Sequence, residues 1–209
     1  TYTMTAEHTT TDDSSEGSLT PPELTDEQIL EIADDRFSTD NVALVTGAGS
    51  GIGRATAVAL AANGLTVAGL DIDEEGLEET IATAESFDTD GRVFAAPCDL
   101  TDDAAVRSAV DAASEAGTIR YLANIAGMQH IASIAEFPLE KYDFMQDLML
   151  RAPFYLSQLV IPHIEATDDG VGAIGNMSSV HGHFATRDKP AYITAKHGLT
   201  GLTRAIAAE

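Results

Sequence analysis

The feature that most constrains this chain is a glycine-rich run, Thr46-Gly47-Ala48-Gly49-Ser50-Gly51-Ile52-Gly53, placed directly after Val42-Ala43-Leu44-Val45. A short, continuously apolar segment predicts a strand covered on both faces, as in a parallel sheet. The glycines behind it let the backbone turn tightly into a helix, for which Ile52, Ala55 and Ala59 supply an expected core face. Gly64 then stands where a C′ glycine would end that helix.

The same alternation continues. Strands are expected at Thr66–Asp71, 92–98, Ile119–Ala123 and near Gly172–Met177, with helices at about 73–86, 102–116 and 139–165 and from Pro190 onward. Gly117 closes the third helix. Strand–helix alternation predicts an α/β, Rossmann-type doubly wound parallel sheet flanked by helices. Leu199, Leu202 and Ile206 hold the helical period up to Glu209 with no closing signal. This reads as truncation after the fifth strand and its following helix.

Residues 1–40 are read separately from the domain at 41–209. Residues 1–22 are rich in Thr, Ser, Asp and Glu, which predicts a disordered tail. Thr25 with Gln28 resembles a capping box, and Ile29, Leu30, Ile32, Ala33 and Phe37 suggest a short helix at 26–37. No apolar run approaches the ~20 residues of a membrane span, and Thr1–Met4 lacks the flanks of a secretory signal. A cytoplasmic protein is expected.

Acidic residues outnumber Lys plus Arg by 34 to 11, for a net charge of −23, and Lys141, Lys189 and Lys196 are the only lysines. Such a field repels nucleic acid and anionic membranes, so neither is an expected partner. The acids are spread along the whole chain, as in proteins of a salt-loaded cytoplasm, where screening weakens self-repulsion. A single cysteine, Cys98, excludes an intrachain disulfide and any multi-cysteine metal site. It is read as a buried structural residue.

A glycine loop between strand and helix lets a pyrophosphate approach the helix N-terminal N–H groups. Asp71, 18 residues after Gly53, could accept hydrogen bonds from ribose hydroxyls, or merely cap the acidic helix that follows. No Arg or Lys is expected nearby to welcome a 2′-phosphate, so NAD is expected as the cofactor. Asp99 could touch the adenine or initiate the 102–116 helix. Asn124-Ile125-Ala126-Gly127 ends the fourth strand at the carboxyl edge, where ligands bind in such sheets.

Tyr192 and Lys196 are four residues apart on a predicted helix and share one face. A free tyrosine, titrating near ~10, is a poor base, but a neighbouring ammonium favours the phenolate. Ser179, 13 residues before Tyr192, could hydrogen-bond the reacting oxygen.

Together the TGxxxGxG loop at 46–53, Asp71, Asp99, N-x-A-G at 124–127, Ser179 and Y-x-x-x-K at 192–196 resemble the short-chain dehydrogenase/reductase superfamily. The resemblance implies that Tyr192 is the general acid/base, that Lys196 binds the nicotinamide ribose, and that Ser179 polarises the carbonyl. It further implies cofactor contacts from Gly47, Ser50, Gly51, Ile52, Gly53, Asp71, Asp99, Leu100, Asn124, Ala126 and Gly127, with Tyr192 and Lys196. A homo-oligomer, a tetramer by resemblance, is implied, with the 139–165 and 190–209 helices as contact faces.

A narrower resemblance joins Ala126-Gly127-Met128-Gln129-His130, Glu136-Phe137-Pro138, Ser179-Val180-His181-Gly182 and Ala195-Lys196-His197-Gly198-Leu199 to the D-3-hydroxybutyrate dehydrogenases. It implies that Gln129, His181 and Lys189 hold the carboxylate of a small hydroxyacid substrate beside Ser179 and Tyr192. An amide, a ring N–H and an ammonium are suitable donors to one anion. Other readings are a surface loop for His181 and Lys189 and a turn for Gln129.

Two positions depart from the pattern. Met149 replaces an asparagine in Met149-Leu150-Arg151-Ala152-Pro153-Phe154, which puts a water-linked proton relay from Lys196 in doubt, and Ile125 replaces a second asparagine. The expected activity is reversible oxidation of (R)-3-hydroxybutyrate to acetoacetate with NAD, with no metal. The rival readings are a reductase of another hydroxyacid, sugar alcohol or 3-oxoacyl thioester, and a non-catalytic NAD-binding regulator.

Overall fold

The computed structural model describes residues 25–209; the expected tail at 1–22 lies outside the described residues. Five parallel strands form one sheet in the order β3-β2-β1-β4-β5: β1 Asn41–Thr46, β2 Thr66–Leu70, β3 Arg92–Ala95, β4 Thr118–Asn124 and β5 Ala173–Asn176. The helices are α1 Gly51–Ala62, α2 Glu74–Ala84, α3 Asp103–Ala116, α4 Leu139–Gln146, α5 Ala152–Glu165 and α6 Pro190–Ile206.

The side-chain alternation of β1 explains why its apolar run is continuous. Val42 and Leu44 join a core with Val106, Val110, Leu156 and Val160 of α3 and α5. Ala43 and Val45 point the other way, toward Ala57, Val58 and Ala61 of α1 and Leu77 of α2. Both faces of the central strand are therefore dry, as the doubly wound reading requires. β5 has one strand neighbour, and its residues alternate between exposed and half-buried.

Strand order reverses between β1 and β4. In open α/β sheets the crevice at the carboxyl ends of such a pair is where ligands bind. The third strand's pairing runs past Ala95: the N–H of Ala96 donates to Gly69 O and that of Cys98 to Asp71 O. Pro97, lacking an N–H, fits between them.

Two expectations are corrected. The 26–37 segment is not a helix beyond a 3-10 turn at Asp26–Gln28. Asn63, at the end of α1, instead ties it down as irregular chain: its Oδ1 accepts from Ile32 N–H at 2.7 Å and its Nδ2 donates to Leu30 O at 3.0 Å. Leu30 and Ile32 are exposed, while Ile29 and Phe37 pack on the α1 side of the core. The core face of α1 is Gly53, Ala57, Val58 and Ala61. Ile52, in the first turn, rises above the sheet edge and is exposed.

The 139–165 stretch is helical, but residues Asp147–Arg151 between α4 and α5 form a π turn. Pro153 follows it and cannot donate to the carbonyl four residues back. A wider turn there lets the chain pass that missing bond.

Candidate active site

The glycine loop is held against the sheet by its own backbone. Gly47 and Ala48 N–H both point at Leu70 O, at 2.8 and 3.3 Å. Gly47 has φ +72°, and a Cβ there would lie 3.0 Å from Ala126 Cα, so only glycine fits both the turn and the neighbour. Gly53 meets the loop from α1: a Cβ would stand 1.9 Å from Gly47 O. Ser50 caps α1 without a side-chain bond, which leaves the first-turn N–H groups free of a side-chain cap at the cleft wall.

The cleft at the β1–β4 reversal has a volume of about 590 Å³. Gly47, Ser50, Gly51, Ile52, Gly53, Asp71, Asp99, Leu100, Ala126, Gly127, Gln129, Tyr192 and Lys196 line it together, with Ile72, Cys98, Ile125, Met128, Phe144, Leu148 and Met177. Lys196 is the only cation among those residues, against the carboxylates of Asp71 and Asp99.

Both acidic residues have lost their simpler alternative. The cap of α2 is Asp73, whose carboxylate accepts from Gly76 N–H, and the cap of α3 is Asp102, which accepts from Ala104 and Ala105 N–H. Asp71 instead faces the loop: Oδ2 accepts from Gly49 N–H at 2.9 Å and Oδ1 from Asp73 N–H at 3.1 Å. Each oxygen keeps a lone pair for a ligand hydroxyl. Asp99 takes both the hydroxyl and the N–H of Thr101, at 2.7 and 2.9 Å, and these bonds hold its carboxyl below the usual range. Cys98 is buried beside it, and burial pushes its thiol up to about 11.

Tyr192 and Lys196 share one face of α6. The Lys196 ammonium lies 5.6 Å from the Tyr192 ring centroid and donates to Met177 O at 2.6 Å. Lys196 is buried, and desolvation lowers its pKa. Met149 is also buried, in a small cluster with Met145, Ala191 and Ala195, and its Sδ lies close to Gly127.

Ser179 and His181 lie behind Tyr192 rather than on the cleft lining. The His181 ring meets Tyr192 edge-on at 5.9 Å between centroids. Its Nδ1 is 3.5 Å from Ser179 Oγ, its backbone N–H donates to that oxygen at 3.2 Å, and its Nε2 is 3.0 Å from Thr186 Oγ1. Lys189 precedes α6 at its N-terminus, half-buried, and is not on the lining. The two loops are tied together nearby, where Ala132 N–H donates to Asp188 O at 3.0 Å.

Two readings of the site change. Asn124 lies beneath the cleft, 4% exposed, because its amide donates to Asn176 Oδ1 on the next strand at 2.8 Å. An arginine does reach the Asp71 corner, from α1 rather than from beside Asp71: Arg54 Nη2 donates to Gly49 O and to Gly76 O and pairs with Glu79 at 2.7 Å. The glycine spacing alone carries no signal for that contact.

The fold and site are those of a doubly wound α/β protein with a glycine-loop cleft at its strand reversal and a Tyr–Lys pair lining that cleft. A family model described as short chain dehydrogenase matches residues 41–209, and the chain belongs to that family. It is 37% identical over 187 residues to the D-threitol dehydrogenase of Mycolicibacterium smegmatis, covering 89% of this chain and 70% of the relative. It is also 37% identical over 170 residues to the D-beta-hydroxybutyrate dehydrogenase of Cupriavidus necator, covering 80% of this chain and 64% of the relative. The crystal structure of levodione reductase superposes with a TM-score of 0.76 at 35% identity, over 82% of this chain and 66% of that one. The chain thus spans about two thirds of the length of these relatives. Among the described residues no helix is long and apolar enough to cross a membrane.

Proposed function

We propose that this chain carries the cofactor cleft and acid–base pair of an NAD-dependent dehydrogenase that interconverts (R)-3-hydroxybutyrate and acetoacetate. The observation that carries the cofactor half is the Asp71 carboxylate, anchored through one lone pair on each oxygen and open to paired hydroxyl donors. The residues that would hold NAD are the loop from Gly47 to Gly53, Asp71, Asp99, Leu100, Ala126 and Gly127, with Tyr192 and Lys196 on the far side. When bound, NAD supplies the hydride acceptor; the protein supplies orientation and proton transfer.

Tyr192 takes the substrate hydroxyl proton, and the Lys196 ammonium, 5.6 Å from its ring centroid, stabilises the negative charge that develops on the phenol oxygen. Ser179 Oγ accepts from the His181 N–H, and with the His181 Nδ1 tautomer protonated its own proton can turn to the substrate oxygen. Gln129 lines the same cleft as Tyr192, which supports its part in holding a small carboxylate. His181 can join it by exchanging Nε2 from Thr186, whose exposed hydroxyl is readily satisfied by water. Identity does not separate a hydroxyacid from a polyol, since the threitol and hydroxybutyrate enzymes stand at the same 37%.

An assay of NADH absorbance with 3-hydroxybutyrate and with threitol, on the enzyme and on Lys189→Ala, tests the reading. Turnover of 3-hydroxybutyrate with a KM raised about tenfold by Lys189→Ala is expected, as for loss of one charged contact. Preference for threitol, or an unchanged KM, would sink the hydroxyacid assignment, and NADH binding without any turnover would favour a regulator.

The charge of −23 is read as adaptation to salt. Screening over a few ångströms at molar KCl should raise the melting temperature steadily from that in dilute buffer. A flat or falling curve would count against it.

A further inference from the structure

Arg54 first resembles a phosphate-binding arginine, yet its Nε and Nη2 donors are taken by groups of the protein. Nη2 serves Gly49 O and Gly76 O and pairs with Glu79, while Nε donates to Thr80 Oγ1 at 3.1 Å. Thr80 is fully buried, and its hydroxyl lies 2.7 Å from Ala48 O. Ala48 C=O and Gly49 N–H belong to one peptide plane, and that N–H is the donor that holds Asp71 Oδ2.

The chain of contacts is therefore closed. Arg54 fills one acceptor site on Thr80 Oγ1, which directs the single hydroxyl proton outward to a carbonyl, and Ala48 O is the nearer of two. The Ala48–Gly49 plane is pinned from behind by Thr80, and the Gly49–Ser50 plane by Arg54 itself. A Cβ on Gly76 would stand 2.5 Å from Gly49 O, so α2 presses on the same carbonyl.

We propose that Arg54 is a positioning residue for cofactor choice: through Thr80 and the two peptides around Gly49, it fixes the Asp71 carboxylate toward the adenosine ribose. The inference rests on the NAD reading above. A planar guanidinium with a fixed fork suits the four acceptors Gly49 O, Gly76 O, Thr80 Oγ1 and Glu79, whereas a lysine ammonium would reach fewer.

The test is fluorescence titration of NADH and NADPH with the wild-type chain, Arg54→Met, Arg54→Lys and Thr80→Val. For Arg54→Met, NADH affinity should fall about tenfold while NADPH affinity stays level, since the carboxylate that repels the 2′-phosphate is no longer aimed. Thr80→Val should move the ratio the same way, and Arg54→Lys should restore part of it. An equal fall for both nucleotides would reduce Arg54 to a structural residue and overturn the proposal. A fall for NADPH alone would make it a phosphate ligand, and an unchanged ratio would likewise overturn it. Equal binding of both nucleotides by the wild-type chain would instead overturn the NAD reading itself. If Arg54→Met does not fold, Thr80→Val and Arg54→Lys carry the same comparison.

Discussion

At the Asp71 end of the cleft the Asp71 carboxylate is held by backbone N–H groups, whereas the Tyr192 end is flanked by two loops joined by one backbone bond between Ala132 and Asp188. Those loops carry exposed apolar side chains: Ile131 is 65% exposed, Ile134 84%, Val180 67% and Phe184 71%. Asp188 sits at φ +63°, a conformation that a short polar residue tolerates better than most. One end is thus built before ligand arrives. The other offers side chains that substrate can still rearrange, with Tyr192 and Lys196 as its fixed part because they stand on α6 rather than on the loops. On the proposed function, rigid placement at the cofactor end and adaptable loops at the substrate end fit a family whose members of equal identity to this chain are named for different alcohols.

The largest effect expected from this contrast comes from Tyr192→Phe. The ring keeps its packing on His181 and under the Lys196 ammonium, and only the hydroxyl is lost. Turnover should fall about a thousandfold, within the range for removing a general acid–base group. NADH affinity should stay within about twofold, because the Asp71 corner touches none of these atoms. Matched losses of turnover and NADH affinity, measured by initial rates and fluorescence titration, would show that the two ends are not separable.

What could be read along the chain follows the same division. The glycine loop, Asp71 and the Tyr192/Lys196 spacing are local patterns, and the dry central strand follows from Val42-Ala43-Leu44-Val45 being covered on both sides. The failures are non-local. Residues 29–37 have an apolar helical period, but Asn63, some thirty positions on, takes Leu30 O and Ile32 N–H and holds the segment in a non-helical path. Arg54 lies next to the glycine motif in sequence, yet its role depends on Thr80 and Gly76 of a helix it meets only in the fold. Asn124 ends its strand at the carboxyl edge, and only the fold shows its amide bonded to Asn176 on the next strand. Met149 was visible as a departure, but its burial beside Gly127 against α6 was not.

The smallest effect is the most specific for the fixed part of the substrate end. Burial lowers the pKa of Lys196 from its ordinary 10.5, so its folded value lies below its unfolded one. Above the unfolded value both states are neutral and burial carries no charge penalty. As pH falls from the unfolded value toward the folded one, the unfolded chain takes up a proton that the buried native amine resists, and stability is lost until both states are charged. Lys196→Met removes that penalty, and Met177, 38% exposed, can give its freed carbonyl to water. The variant should be inactive, yet more stable at pH 7, with a higher melting temperature than the wild type. Any gain from the apolar side chain itself is independent of pH. The charge contribution is not, so the gap between variant and wild type should narrow as pH climbs toward 10.5 in thermal melts. A gap that stays constant with pH would mean that the buried ammonium costs the fold nothing, and that its position beneath Tyr192 carries no trade of stability for catalysis.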